Sequence, residues 1–453
     1  MQVDFGNVQA PVVHVYRLPL SRHLLFRLGD GGVGGARAFL RRLTPDVTMA
    51  DVQLGPTSDD LVNVGITYNG LVALGVERAL LDTFDSTYQQ GPRALPLGDI
   101  PGSPSDPATW WEGQFPTADV HCVVHMYARS EDRLDATTAR VRGYAQRAGI
   151  RELAPRKDGT VLDGRSLGGS KLHFGYTDGI SHPDINWDDT PETQARVNFR
   201  KFLLGYATPE HGSAPRTGPA ADLVRDSTYA AFRWVYQDVA AFNRFLRTEA
   251  SLLFPQLAPA DAEELLAAKL MGRWRDGTPL VLSPDRPDPT LARRNDFAYA
   301  TADPDGHRCP FSAHIRVVDP RDSTLDPVAA VSGVPRVLRR GMAYGPELAS
   351  AQDDGVDRGL IGIFLCADLR LQIYTLASWI KQNDFSPVYN ANRRVQDALV
   401  ANRAVPGTDH SFTIPAQGGA VRVASLPDFV QTKGTAFLLL PSKSMLQRLT
   451  AAS

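Results

Sequence analysis

Three phrases in this chain bring together residue types that do chemistry. The first sets one histidine in an apolar run, Cys309-Pro310-Phe311-Ser312-Ala313-His314-Ile315-Arg316. A neutral imidazole among such neighbours suits a metal better than it suits water. The second, Arg336-Val337-Leu338-Arg339-Arg340-Gly341, supplies guanidinium groups for an anionic ligand or for charge that develops in a reaction. The third, Phe174-Gly175-Tyr176-Thr177-Asp178-Gly179-Ile180-Ser181, places an aspartate between glycines. Such an aspartate commonly marks a turn, since it tolerates left-handed backbone and bonds to its own main chain. It can equally be an acid–base carboxylate on a tight backbone, whose bare glycines let a ligand come close.

Other candidates read more plainly. His121 and His125 share one face of a strand while Cys122 points to the other, so the three do not converge on a metal. Cys309 is of a type that can ligate haem iron as a thiolate, but a small buried cysteine is its simpler role. His173 and His182 flank the aspartate phrase and either line a pocket or sit as satisfied surface histidines.

The 453 residues are enough for two or three domains and a large core. A hydrophobic fraction of 43% and a charged fraction of 22% are ordinary for a globular protein. With 48 basic against 50 acidic side chains the net charge is -2, and no basic tract supports nucleic-acid or membrane-surface binding. Three widely spaced cysteines argue against a disulfide scaffold and suit a reducing compartment. The N-terminus shows no charged n-region before an apolar stretch and no twin arginine, and no apolar run is long enough to cross a bilayer. These features read as a cytoplasmic protein; nothing in them assigns an oligomeric state.

The elements that position the three phrases follow from periodicity. Strands are expected from His23, over Val62–Tyr68 and over Val120–Tyr127; helices are expected over 35–43, with Ala36, Phe39, Leu40 and Leu43 inward, and from Ser130 to about Ala148. Asn69 is the expected cap of a short helix, and the Gly-, Pro- and Ser-rich segment 83–117 the expected surface loop. Strands return at Phe202–Tyr206 and Ser227–Tyr236, and helices follow from Asp238 to about Arg247 and over 259–270. Gly359–Cys366 is a buried strand, Leu369–Lys381 a helix and Gly434–Leu440 a last buried strand. The order implies an α+β fold, helices covering a mostly antiparallel sheet, with one pattern used twice.

Together the three phrases resemble the dye-decolourising peroxidase family of haem peroxidases. The family's GxxDG motif is complete at Gly175, Asp178 and Gly179. CPFSAHIRVVDPR at 309–321 is similar to its proximal-histidine segment, and RVLRRGMAYGPE at 336–347 to its distal-arginine segment. The likeness runs from Asn7-Val8-Gln9 to the C-terminal strand and is greatest to the longer members. It implies two ferredoxin-like modules of the dimeric α/β-barrel type, here 1–190 and 191–453, with haem b in the second. It makes His314 the proximal iron ligand and Asp178 and Arg339 the catalytic pair, with Gly175 and Gly179 at the cofactor. Arg340 should point elsewhere. Arg316 would share the face of His314 on an extended chain and pair with a haem propionate. Asp397, then Asp384, is the expected acidic partner of the far nitrogen of His314.

The implied activity is reduction of hydrogen peroxide and one-electron oxidation of bulky aromatic or dye-like substrates through a compound I intermediate, at acidic pH. The alternative on the same fold is a haem- or porphyrin-binding protein for iron release or haem trafficking. The chain departs from the family at His182, where many relatives carry glutamine, and at Ala343, where proline is frequent.

Overall fold

Each half of the chain runs through one order of elements. The computed structural model describes residues 3–53, 59–188, 190, 192–193, 196–207, 218–323, 334–382 and 395–451. The N-terminal half holds strand β1 (Leu20–Arg27), helix α1 (Gly32–Leu43), β2 (Asp60–Ile66), β3 (Cys122–Ala128), α2 (Glu131–Arg147), β4 (Arg151–Leu153) and β5 (Leu162–Arg165). The C-terminal half holds β6 (Thr228–Gln237), α3 (Val239–Leu253), α4 (Pro259–Met271), α5 (His314–Val318), β7 (Leu338–Arg339), β8 (Met342–Tyr344), β9 (Gly359–Cys366), α6 (Thr375–Lys381) and β10 (Val430–Leu440). Without the additions, both are β–α–β–β–α–β, the ferredoxin-like order. Their strands lie as β2-β3-β1-β4 and β8-β9-β6-β10, the same arrangement, and join into one antiparallel sheet where Leu439 of β10 meets Ile66 of β2.

Local signals explain these elements. α1 buries Ala36, Phe39, Leu40 and Leu43, the expected face. α2 starts where the Ser130 hydroxyl accepts the Arg133 N–H, with Glu131 and Asp132 in the first turn and Arg147 in the last, each suited to the helix dipole. Asp238 caps α3 in the same way, accepting from the Ala241 N–H. β9 is apolar almost throughout because it lies between β6 and β8 within the sheet. β10 shifts register between Thr432 and Gly434, and a Cβ on Gly434 would come within 2.5 Å of the Trp111 ring. The bulge and the missing side chain together make room for that indole.

Four expectations fail locally. Segment 83–117 is no surface loop: it winds into short helices at Ser86–Gln90 and Ala94–Leu97 and buries Tyr88, Leu97, Asp99, Trp110 and Trp111. Gly and Pro content reports irregular backbone, whereas the buried position comes from Asp99, which ion-pairs Arg233 of β6 at 2.8 Å and Lys381 of α6. Thr67, not Asn69, caps the short helix that follows it, accepting the Gly70 N–H at 3.1 Å. Phe202–Tyr206 forms no strand; its residues are apolar because they are buried in the core beside β6, not because they pair in a sheet. Residues 314–318 are helical, so the extended chain on which the Arg316 reading depended is not present.

Candidate active site

Asp178 sits on a loop that several bonds hold in place. Its N–H donates to Ser170 O at 2.8 Å, and the Thr177 N–H donates to Arg275 O at 3.0 Å. Arg275 in turn donates to Phe174 O at 3.1 Å and ion-pairs Glu264 on α4. Gly175 and Gly179 have φ of 89° and 80°, in the left-handed region glycine favours. A Cβ at Gly175 would strike Arg275 at 2.9 Å, so that bare face is already filled; at Gly179 the nearest atom is on His182, at 3.9 Å. Room for an approaching ligand therefore exists at Gly179 only.

Arg339 reaches this loop from β7, which pairs with β9, and its Nη1 lies 3.0 Å from Asp178 Oδ1. Both side chains stay just over a third exposed, 38% for Arg339 and 37% for Asp178, so the pair is not sealed in the core. Strand alternation turns Arg340 the other way, where it donates to Pro11 O at 2.7 Å and His14 O at 3.1 Å in the N-terminal half. Burial pushes the Asp178 carboxyl up, but the Arg339 charge, the Gly179 N–H and His182 outweigh it and hold the group below its ordinary value. His182 is driven down to about 4 by burial and by the charges of Arg339 and Arg340, against the pull of Asp178.

His314 opens α5, and its Nδ1 lies 2.8 Å from Oδ2 of the fully buried Asp397. The other carboxylate oxygen accepts the N–H groups of Leu399 and Val400 at 2.8 and 2.7 Å. With one oxygen bound to main chain, the second is left to the imidazole, which donates its Nδ1 proton. Nε2 makes no hydrogen bond among the described residues, and the side chain is 24% exposed. An imidazole oriented by a carboxylate, with a free basic nitrogen facing space, is the donor set haem iron takes on its proximal side. Asp397 is the partner named first from sequence; Asp384 lies outside the described residues.

Arg316 is a correction. It is 1% exposed and donates to Asp303 Oδ2 at 3.1 Å and Cys309 O at 2.7 Å, with its guanidinium 4.4 Å from the ring centroids of both Tyr299 and Phe311. The helical turn rotates it away from the face of His314, and both Nη atoms are committed to Asp303, Cys309 O and Ser323, which does not favour the expected propionate contact. Cys309 is buried, as the simpler reading held. His125 pairs with His23 through Nδ1 atoms 2.9 Å apart, and His173 bonds Tyr344 O at 2.8 Å. Among the described residues no three His, Cys, Asp or Glu cluster to hold a metal ion. Sequence reasoning missed Arg275, the clamp of the Asp178 loop, because nothing in its spacing links it to a phrase some hundred residues upstream.

No protein-family model matches the chain. A dye-decolorizing peroxidase from Mycena epipterygia is 32% identical over 384 residues, 79% of this chain and 68% of the relative. An ancestral D-type dye-decolorizing peroxidase structure superposes over the whole of both chains with a TM-score of 0.79 and 25% identity. A dye-decolorizing peroxidase in complex with 2,6-dimethoxyphenol has the same fold, with a TM-score of 0.79 and 24% identity over 99% of this chain and 100% of that one. The fold and these relatives define a haem-dependent peroxidase, an oxidoreductase acting on hydrogen peroxide. The chain belongs to the dye-decolourising peroxidase family.

Proposed function

We propose that His314 is the axial ligand of haem b and that Asp178 and Arg339 handle the peroxide. The two β–α–β–β–α–β halves support modules at 1–190 and 191–453, with the cofactor held by the second. The observation that carries the reading is the Asp178–Arg339 contact of 3.0 Å, kept about a third exposed instead of sealed in the core. When bound, haem supplies the redox centre that passes two electrons to peroxide and recovers them singly from reductants.

Each protein group has a defined task. Asp178, held ionised by Arg339, takes the proton from the near oxygen of hydrogen peroxide and returns it to the departing one, so that the leaving group is water. Arg339, permanently cationic, stabilises negative charge as the O–O bond breaks. Asp397 fixes the tautomer of His314 and makes its Nε2 more electron-donating. Reductants of the phenolic or dye-like class fit the peroxidase reading, since one-electron oxidation of an aromatic ring spreads the unpaired electron. Three buried, unpaired cysteines suit a reducing compartment such as the cytoplasm.

Asp178→Asn keeps the hydrogen-bonding shape and removes the base. Stopped-flow mixing with peroxide should show the first step slowed by about 10²–10⁴-fold, with the resting Soret band unchanged. An unchanged rate would remove Asp178 from the role. His314→Ala should lose the normal haem spectrum.

A further inference from the structure

Arg403, six residues beyond Asp397, is 4% exposed. Its Nη2 donates to Asp397 O at 3.3 Å and Ala398 O at 3.0 Å. Nη1 donates to Pro427 O at 2.9 Å and Asp428 Oδ1 at 3.1 Å, and the Arg403 N–H reaches the same Asp428 oxygen at 3.0 Å. None of these bonds goes to the Asp397 carboxylate. Burial works against the Arg403 charge, and Asp428 is the largest influence opposing it.

The arrangement separates two jobs that one cation usually merges. A guanidinium placed on Asp397 Oδ2 would compete with His314 for that oxygen. Gripping the carbonyls of Asp397 and Ala398 instead fixes the main chain beneath the carboxylate and brings a compensating charge near a buried anion, which offsets part of the cost of burying it. Asp397 Oδ1 then takes the Leu399 and Val400 N–H groups, and Oδ2 is aimed at His314 alone. The Ala398 N–H also donates to Ser312 O at 2.8 Å, so the gripped turn is stitched to the loop that carries the histidine.

We infer that Arg403, anchored by Asp428, is a positioning residue that sets the aim of Asp397 at His314 and thereby the electron donation of that imidazole. The inference rests on the reading of His314 as the haem ligand. The test uses the full chain loaded with haem, and its readout is the iron–histidine stretching band of the ferrous protein in resonance Raman. Asp397→Asn should move the band to lower frequency. Arg403→Met should move it the same way by at least half as much, and Arg403→Lys should restore part of the shift. A folded, haem-loaded Arg403→Met protein whose band stays in place while Asp397→Asn moves it overturns the inference and leaves the His314 reading standing. A band that neither substitution moves overturns both. Should Arg403→Met fail to fold, Asp428→Asn, which keeps the guanidinium but frees its far end, decides by the same band: a shift toward that of Asp397→Asn upholds the inference, and no shift overturns it.

Discussion

In the role proposed for it Asp178 has to keep its proton off in acid, and its neighbours favour that. Burial alone would raise its carboxyl; Arg339 first, then the Gly179 N–H and His182, reverse the sign. The acid limb of the peroxide reaction should therefore lie below the ordinary carboxylate range. Arg339→Leu removes the largest of the opposing charges, so the limb should move to higher pH while the plateau rate falls by about 10²–10³-fold. The second-order rate constant with peroxide, measured across acid pH, checks both effects; a limb that stays in place would mean that another group titrates. His182 adds to this behaviour. Above about 4 its imidazole is neutral, and only below that does its charge reinforce the hold on Asp178. At this scale the sequence was informative, because His314, Asp178 and Arg339 stand in phrases whose residue types are few and whose order resembles a known family. Arg316 shows where such reasoning ended. Its place two positions after His314 is a helical position, and i to i+2 on a helix points away.

The regular elements were legible for simple reasons: α1, α2 and α3 each bury a periodic set on one face, and β3, β6 and β9 are largely buried runs of mostly apolar residues. Segment 83–117 was not, because its position depends on one ion cluster made by residues far apart in the chain. Asp99 is fully buried and accepts from Arg233 at 2.8 Å and from Thr432 at 3.0 Å, while also pairing with Lys381. Burial lowers the Lys381 ammonium, and Asp99 is the first of the groups that support it. The cluster fastens this segment to β6, β10 and α6 at once. Asp99→Ala would leave two cations facing each other in the core, a loss of about 3–5 kcal/mol by the general cost of breaking a buried pair. Urea unfolding of the haem-loaded protein measures it, and a change below about 1 kcal/mol would mean the cluster behaves like a surface pair. Gly434 makes the same point by shape. Only a residue without Cβ clears the Trp111 ring, and that requirement becomes visible once segment and strand are seen together.

The two halves meet over a buried pair of imidazoles, and this ties the stability of the whole molecule to pH. His23 on β1 and His125 on β3 are 2% and 1% exposed, with Phe232 of β6 packed 5.5 and 5.4 Å from their rings. Burial drives His23 down to about 3, and burial followed by His23 drives His125 well below its ordinary value. An unfolded chain would bind these protons near pH 6.5. Above that pH both states are neutral and the native packing contributes in full. As pH falls below it, toward the low native values, the unfolded state gains protons the native state refuses, and stability drops by about 1.4 kcal/mol per histidine per pH unit. Acid thus acts on the fold through the histidine pair, and on the proposed base through a carboxyl that its neighbours hold below its ordinary value. The loss of stability in acid should be read by tryptophan fluorescence during urea unfolding, separately from the acid limb of the peroxide reaction proposed for Asp178. Replacing both histidines, His23→Leu with His125→Leu, should flatten the dependence of the urea midpoint on pH between neutral and acid conditions and leave the acid limb of activity in place. If the slope is unchanged in the double variant, other groups carry the acid sensitivity of the fold.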